Sequence, residues 1–195
     1  MHDPRLATLA DQLVAYSVDV QPGEKIYLEI KGVEALALGR ELVRAATQRG
    51  AVPFWYYNDE DLARPFVRQA GEAQFAAWGA FHRGIMEQVD AYIAVRGSAN
   101  PFDFGDVDPE RMQWHDLAYW QQVHLGVRLQ KKWCVLRYPN PSMAVLAQQP
   151  TEAFADFYFK VCLLDYARLS LAMDPLKALL ERTDRVELRG PGTEL

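Results

Sequence analysis

Apolar residues recur along this chain in two rhythms, and the rhythms alternate. Leu6, Leu9, Ala10 and Leu13 fall at helical spacing and predict a first helix ending near Ser17. The turn Gln21-Pro22-Gly23-Glu24 breaks the chain before a strand pattern, Lys25-Ile26-Tyr27-Leu28-Glu29-Ile30. A helix through Ala35, Leu38, Leu42, Ala45 and Ala46 follows, with Gly50 as its stop. Ala51 to Tyr57 then reads as a second strand, rich in aromatics and bounded by Asn58-Asp59. The three pieces make one strand–helix–strand unit with an expected right-handed crossover.

Helical patterns continue from about Asp59 to Gln69 and from Gly71 to Gln88. Ala91-Tyr92-Ile93-Ala94-Val95-Arg96 is an almost continuous apolar run, as expected of a strand covered on both faces. Pro109 to Gln130 reads as one helix, with Asp106 or Asp108 placed to cap it, and Trp133 to Arg137 as a fourth strand. The expected fold is α/β, a doubly wound, mostly parallel sheet of about four to five strands flanked by helices.

In the tail, Thr151 follows Pro150 and is placed to cap a long helix. Its stripe of Phe154, Phe157, Val161 and Leu164, widened by Tyr158, Cys162 and Leu169, predicts extensive burial. Asp174-Pro175 is expected to start a shorter helix, and Arg185-Val186-Glu187-Leu188 alternates like a strand. With Gly190-Pro191-Gly192 and Thr193-Glu194-Leu195 behind it, that strand resembles the opening hairpin of a further domain. A strand without a partner is a hazard, so residues 1–183 are expected to form an α/β domain and residues 184–195 to begin another.

Length and composition narrow the partners. The 195 residues suit one domain, and 50% hydrophobic with 24% charged is ordinary for a globular chain. A net charge of −5 disfavours non-specific binding to nucleic acid, which needs a basic face. No apolar run approaches the ~20 residues that span a bilayer, and no apolar signal core follows the first five residues. Cys134 and Cys162 each sit in an apolar stretch and read as buried free thiols of a reducing compartment. The expected location is cytoplasmic, with neither membrane nor nucleic acid as partner.

The chemistry is marked by what is missing. The sequence holds no paired-histidine metalloprotease motif, no CxxC pair, no GxSxG elbow and no Walker-type GKS or GKT. The turn after the first strand, Lys31-Gly32-Val33-Glu34, has one glycine and an acid where a dinucleotide fold places phosphate. The histidines are His2, His82, His115 and His124; the last two lie nine residues apart, out of phase on one α-helix, and surface or capping roles are expected for them. Asp103, Asp106, Asp108 and Glu110 cluster after the third strand, where a solvated loop is the simpler reading than an acid–base pair. Two segments leave the carboxyl ends of strands, where open parallel sheets bind ligands. They are Arg96-Gly97-Ser98-Ala99-Asn100-Pro101 and Arg137-Tyr138-Pro139-Asn140-Pro141. Arg96 and Arg137, with Asn100, either face a substrate cavity or interface, gripping a carboxylate or a partner loop, or pin their loops through main-chain carbonyls.

At these same segments the chain resembles the broad-specificity, leucyl-type metallo-aminopeptidases that include aminopeptidases T and S. The landmarks are Leu13-Val14-Ala15-Tyr16-Ser17 with Gln21-Pro22-Gly23-Glu24-Lys25, Arg44 to Ala51, and Tyr92 to Gly97 with Asn100-Pro101. Trp133 with Tyr138-Pro139, Phe154 to Phe159 with Asp165-Tyr166, Met173 to Lys177, and Thr183 to Val186 with Gly190 to Leu195 complete the series. Asn140 departs from the threonine usual after Tyr-Pro. The resemblance implies a non-catalytic N-terminal domain that helps enclose the active-site cavity of a dimeric peptidase acting on short peptides. It implies two divalent metal ions held by a C-terminal catalytic domain downstream of Leu195, and no catalytic residue, metal ligand or cofactor in this chain. A self-sufficient α/β ligand-binding or dimerisation module is the other expectation.

Overall fold

The computed structural model describes residues 3–100 and 102–194; His2, Pro101 and Leu195 lie outside the described residues. Strand β1 (Lys25–Lys31) is apolar on both sides, with Ile26 to Ile30 all buried. It lies between β2 (Val52–Asn58) and β3 (Ala91–Arg96), and β4 (Lys132–Arg137) completes a parallel sheet of order β2-β1-β3-β4. Strand side chains alternate between faces. Ile26, Leu28, Ile30, Ile93 and Val95 therefore pack on one side with α1 (Pro4–Gln12) and α2 (Leu36–Gln48). Tyr27, Tyr92 and Ala94 pack on the other with Met86 of α4 (Glu72–Glu87) and with Val123 and Val127. Helix α3 (Glu60–Gln69) closes that side through Val67, which joins Phe75 and Val107. The α/β class and the doubly wound parallel sheet stand as expected, with four strands.

The helix expected over Pro109–Gln130 is three pieces. Asp108 caps α5 (Pro109–His115), accepting from Glu110 N at 2.8 Å. The chain then widens into a π-helical stretch (Asp116–Leu125) and ends in a 3₁₀ turn (Arg128–Gln130). Close packing against α4 accompanies the change: a β-carbon on Gly79 would stand 2.3 Å from the Ala118 carbonyl oxygen.

The tail departs further from expectation. Asn140 caps α6 (Pro141–Leu146), and Pro150, not Thr151, occupies the cap of α7 (Thr151–Cys162). Helix α7 is not largely buried. Phe159 is covered and Tyr158 and Cys162 touch the core, but Phe157 is 62% exposed and Val161 and Leu164 are also open. Only one side of the helix meets the domain, through Arg5 to Asp156 (2.6 Å) and Gln12 to the Cys162 carbonyl (2.8 Å). Asp174-Pro175 begins no helix; α8 runs unbroken from Tyr166 to Glu181, because Asp165 caps it by accepting from Arg168 N at 3.0 Å. Pro175 removes one backbone donor inside an exposed helix. Residues 185–188 form no ladder. Pairing comes one step later, between β5 (Arg189–Gly190) and β6 (Thr193–Glu194), antiparallel around a Gly192 whose φ is +72°. Both cysteines are free thiols, half-buried instead of fully buried. Among the described residues no helix is long and apolar enough to cross a membrane.

Candidate functional site

From β1 the chain moves outward to β2, then returns past β1 to β3 and β4, so the direction of winding reverses between β1 and β3. At such a switch point the loops part and leave a crevice at the carboxyl ends of the strands. Two glycines hold the crevice floor together. Gly32 has φ +83°, a conformation that glycine adopts freely, and a β-carbon there would meet the Gly97 carbonyl oxygen at 2.6 Å. Gly97 in turn donates to the Lys31 carbonyl at 2.6 Å and leaves no room for a side chain against Ala35 N. The single glycine of the first turn thus serves loop-to-loop packing.

The parallel register then sets a row of polar side chains across the sheet. Asn58 is opposite Lys31, Lys31 opposite Arg96, and Arg96 opposite Arg137, each in the last position of its strand. Adjacent members are about 4.8 Å apart at the backbone. The row lines a cleft of about 310 Å³ whose other wall carries Tyr119 and Trp120 of the π-helical stretch.

Charges in the cleft are unevenly satisfied. Lys31 Nζ pairs with Glu60 at 3.0 Å, and Glu60 also accepts from the Ser98 hydroxyl. Glu29 is 8% exposed and accepts from the Tyr92 hydroxyl and, at 3.4 Å, from that of Tyr119. Burial first, and then the Glu29 charge, push both phenols well above their ordinary range, so both remain donors. Arg96 is half-buried and Arg137 exposed, and among the described residues neither guanidinium makes a hydrogen bond or ion pair. Behind them Arg128, 4% exposed, lies 4.2 Å over the Trp133 ring, and its Nε and Nη1 have no partner among the described residues. Burial lowers its affinity for a proton.

Of the three residues singled out in the sequence, the structure brings Arg96 and Arg137 side by side, while Asn100 stands on the rim. The Asn100 amide is engaged within its own loop: Nδ2 donates to Asp103 at 2.6 Å and Oδ1 accepts from Phe102 N at 3.0 Å. Sequence reasoning missed Lys31, Asn58 and Glu29. A carboxylate inside the apolar run from Ile26 to Ile30 was the available signal, since a buried acid needs hydrogen-bond partners. It also passed over Asn140, 3% exposed, which accepts from Met143 N and donates to the Ser98 carbonyl, both at 2.9 Å. That side chain bolts the loop after β4 to the loop after β3.

The acids after β3 have structural work to do. Asp106 pairs with Arg64 at 2.7 Å, Asp108 caps α5, and Asp103 holds Asn100. His115 and His124 are neither surface nor capping groups. His82 and His124 are buried, and with His115 they surround Tyr119 at ring separations of 5.3, 4.7 and 5.7 Å. The i→i+5 winding between His115 and His124 brings them to one side where an α-helix would not. Burial drops His82 to about 4; burial, with the Arg128 and Arg96 charges, drops His124 to about 3. Among the described residues no three histidine, cysteine, aspartate or glutamate side chains are grouped so that they could hold a metal ion. Of the cleft carboxyl groups, Glu29, Glu60 and Asp103 are engaged by tyrosine, serine, lysine and asparagine donors.

No curated protein matches the chain. Among solved structures the fold is similar to wild-type AmpT from Thermus thermophilus, with TM-score 0.73 and 20% identity over 98% of this chain and 52% of that one. This chain therefore spans about half the length of AmpT. A protein described as a LacI-family transcription regulation repressor from Corynebacterium glutamicum aligns with 82% of this chain and 56% of its own, at 14% identity. Its TM-score of 0.41 carries no argument. The thermophilic metalloprotease (M29) family matches residues 2–186, nearly the whole chain, and to that family this chain belongs.

Proposed function

We propose that this α/β domain is the non-catalytic, N-terminal part of a cytoplasmic metal-dependent aminopeptidase that removes N-terminal residues from short peptides. Its strand-end cleft forms one wall of the substrate cavity. The observation that carries the reading is the pair Arg96 and Arg137, in register on neighbouring strands and without an acceptor among the described residues. Such a pair is built to meet something from outside. The two divalent ions that would polarise a peptide carbonyl and generate hydroxide belong, in this proposal, to a catalytic domain outside these residues. The same reading gives the apolar band of α7 and α8 a role. Phe157, Leu171 and Leu176, 58–71% exposed, offer a surface to the catalytic domain or to a second subunit of a homodimer. A self-sufficient ligand-binding or dimerisation module would use the same cleft, since its walls all come from this one chain.

The test is aminopeptidase activity of the purified chain on a panel of amino-acid anilides with added cobalt, zinc or manganese, beside calorimetry with each metal. Silence in both supports the non-catalytic reading. Metal-dependent turnover that co-purifies with this chain overturns it.

A further inference from the structure

The cleft contains both signs of charge, yet its acids and its arginines are in different states. Glu60 holds Lys31 and Ser98, Glu29 holds Tyr92 and Tyr119, and Asp103 holds Asn100. Asp116 is exposed and lies 3.9 Å from His115. Arg96, Arg137 and the buried Arg128 have no hydrogen-bonding or ion-pair partner among the described residues. A guanidinium presents a planar fork matched to a carboxylate, and burying one without an acceptor is costly. Two of them, Arg96 and Arg137, line the crevice against four carboxyl groups, with the buried Arg128 outside its lining, and therefore suit a ligand with one negative end.

We infer that Arg96 and Arg137 form a subsite for the terminal carboxylate of a short peptide, with the Trp120 ring as its apolar side and Arg128 reinforcing the field from behind. The inference rests on the aminopeptidase reading for the identity of the ligand. A singly charged carboxylate is favoured over a phosphate because Glu29, Glu60, Asp103 and Asp116 repel a dianion more strongly than a monoanion. An extended polyanion is excluded on the same ground. A carboxylate anchor at this wall selects peptides by their free carboxyl terminus.

The experiment is binding, independent of turnover. The indole resonance of Trp120 and calorimetry on the purified chain follow titration with Leu-Gly-Gly, its C-terminal amide, and inorganic phosphate. The free acid saturates the signal, and the amide binds about tenfold or more weaker, as expected for loss of a charge-assisted pair. The exposed substitution Arg137→Gln abolishes the difference between acid and amide, and Arg137→Lys, which keeps charge without the fork, restores only part of it. Equal binding of acid and amide, absence of saturable binding by the acid, or tighter binding of phosphate each overturns the subsite. The non-catalytic reading is judged separately: turnover by this chain would sink it while leaving acid–amide discrimination untouched.

Discussion

Lowering the pH from 7 to 5 should destabilise this domain through two buried histidines. His82 and His124 are 4% and 3% exposed, are ringed by aromatic side chains, and have Nδ1 atoms with no partner among the described residues. In the folded chain they take a proton only near about 4 and about 3, against 6.5 for a free imidazole. The unfolded chain therefore binds protons first, and stability is greatest above about 6.5. It falls as the pH drops below that value, and the loss is complete only below the folded-state values. At pH 5 each histidine lies about 1.5 units below its unfolded value, worth about 2 kcal/mol. Together they remove about 4 kcal/mol, a large part of the 5–15 kcal/mol that holds a typical domain together. Glu24, held below its usual 4.5 by the Lys132 hydrogen bond, acts only at lower pH, so this window isolates the imidazoles. Urea unfolding followed by tryptophan fluorescence at pH 7.5, 6.5, 5.5 and 5.0 reads the effect; burial also holds His115 below its ordinary value, so His124→Phe should cut the slope by no more than half. A change under about 1 kcal/mol between pH 7 and 5, or the His82 or His124 imidazole of the folded protein titrating near 6.5, would refute the reasoning.

Other outcomes follow from single contacts. Replacing Gly32 by alanine puts a β-carbon at 2.6 Å from the Gly97 carbonyl oxygen on a positive-φ residue, and should cost about 2 kcal/mol or more in a urea midpoint. Gly79→Ala collides with the Ala118 carbonyl and should lower stability by about 1–3 kcal/mol, with the Trp120 signal disturbed as the π-helical stretch shifts. Glu29→Leu leaves the Tyr92 and Tyr119 hydroxyls without their acceptor, a loss of about 1–3 kcal/mol that Tyr92→Phe in the same chain should partly recover in a double-mutant cycle. Asn140→Ala removes a helix cap and the bolt to Ser98, and should cost about 1–2 kcal/mol while raising hydrogen exchange in the loop after β3.

What could be read in the sequence was what lies on one line. Ile26 to Ile30 and Ala91 to Arg96 announce buried strands by their own composition, and the Gly50 stop, at φ +81°, is needed by the backbone it ends. From these the four-stranded parallel sheet could be anticipated. Arg96 and Arg137 could be picked out because each is the last residue of a strand, and strand ends in parallel sheets gather ligands. The tail resisted. Helix α7 has the apolar girth of a buried helix, but amphipathic pattern measures what a helix is able to cover and not what is available to cover it. Pro175 looked like a beginning because proline favours the first turn, yet Asp165 had already supplied a stronger start ten residues earlier.

The rest of the cleft depends on quantities that no window of sequence contains. Lys31 and Asn58 join Arg96 and Arg137 only through register, and a slip of one residue would turn a strand's end residue to the opposite face. The histidines depend on winding. At α-helical pitch His115 and His124 diverge, and it is the π-helical stretch, squeezed against Gly79 of α4, that turns both toward Tyr119. Tyr119 in turn donates to Glu29, the one acid on the inner row of β1. The glycine on a neighbouring helix is thereby linked to the chemistry of the cleft: it permits the close approach, the approach accompanies the wider winding, and the winding delivers Tyr119 and Trp120 to the wall facing Arg96. Residues 79, 96, 119 and 137 are far apart in sequence, and their placement comes from pairings between elements, which local propensity does not encode.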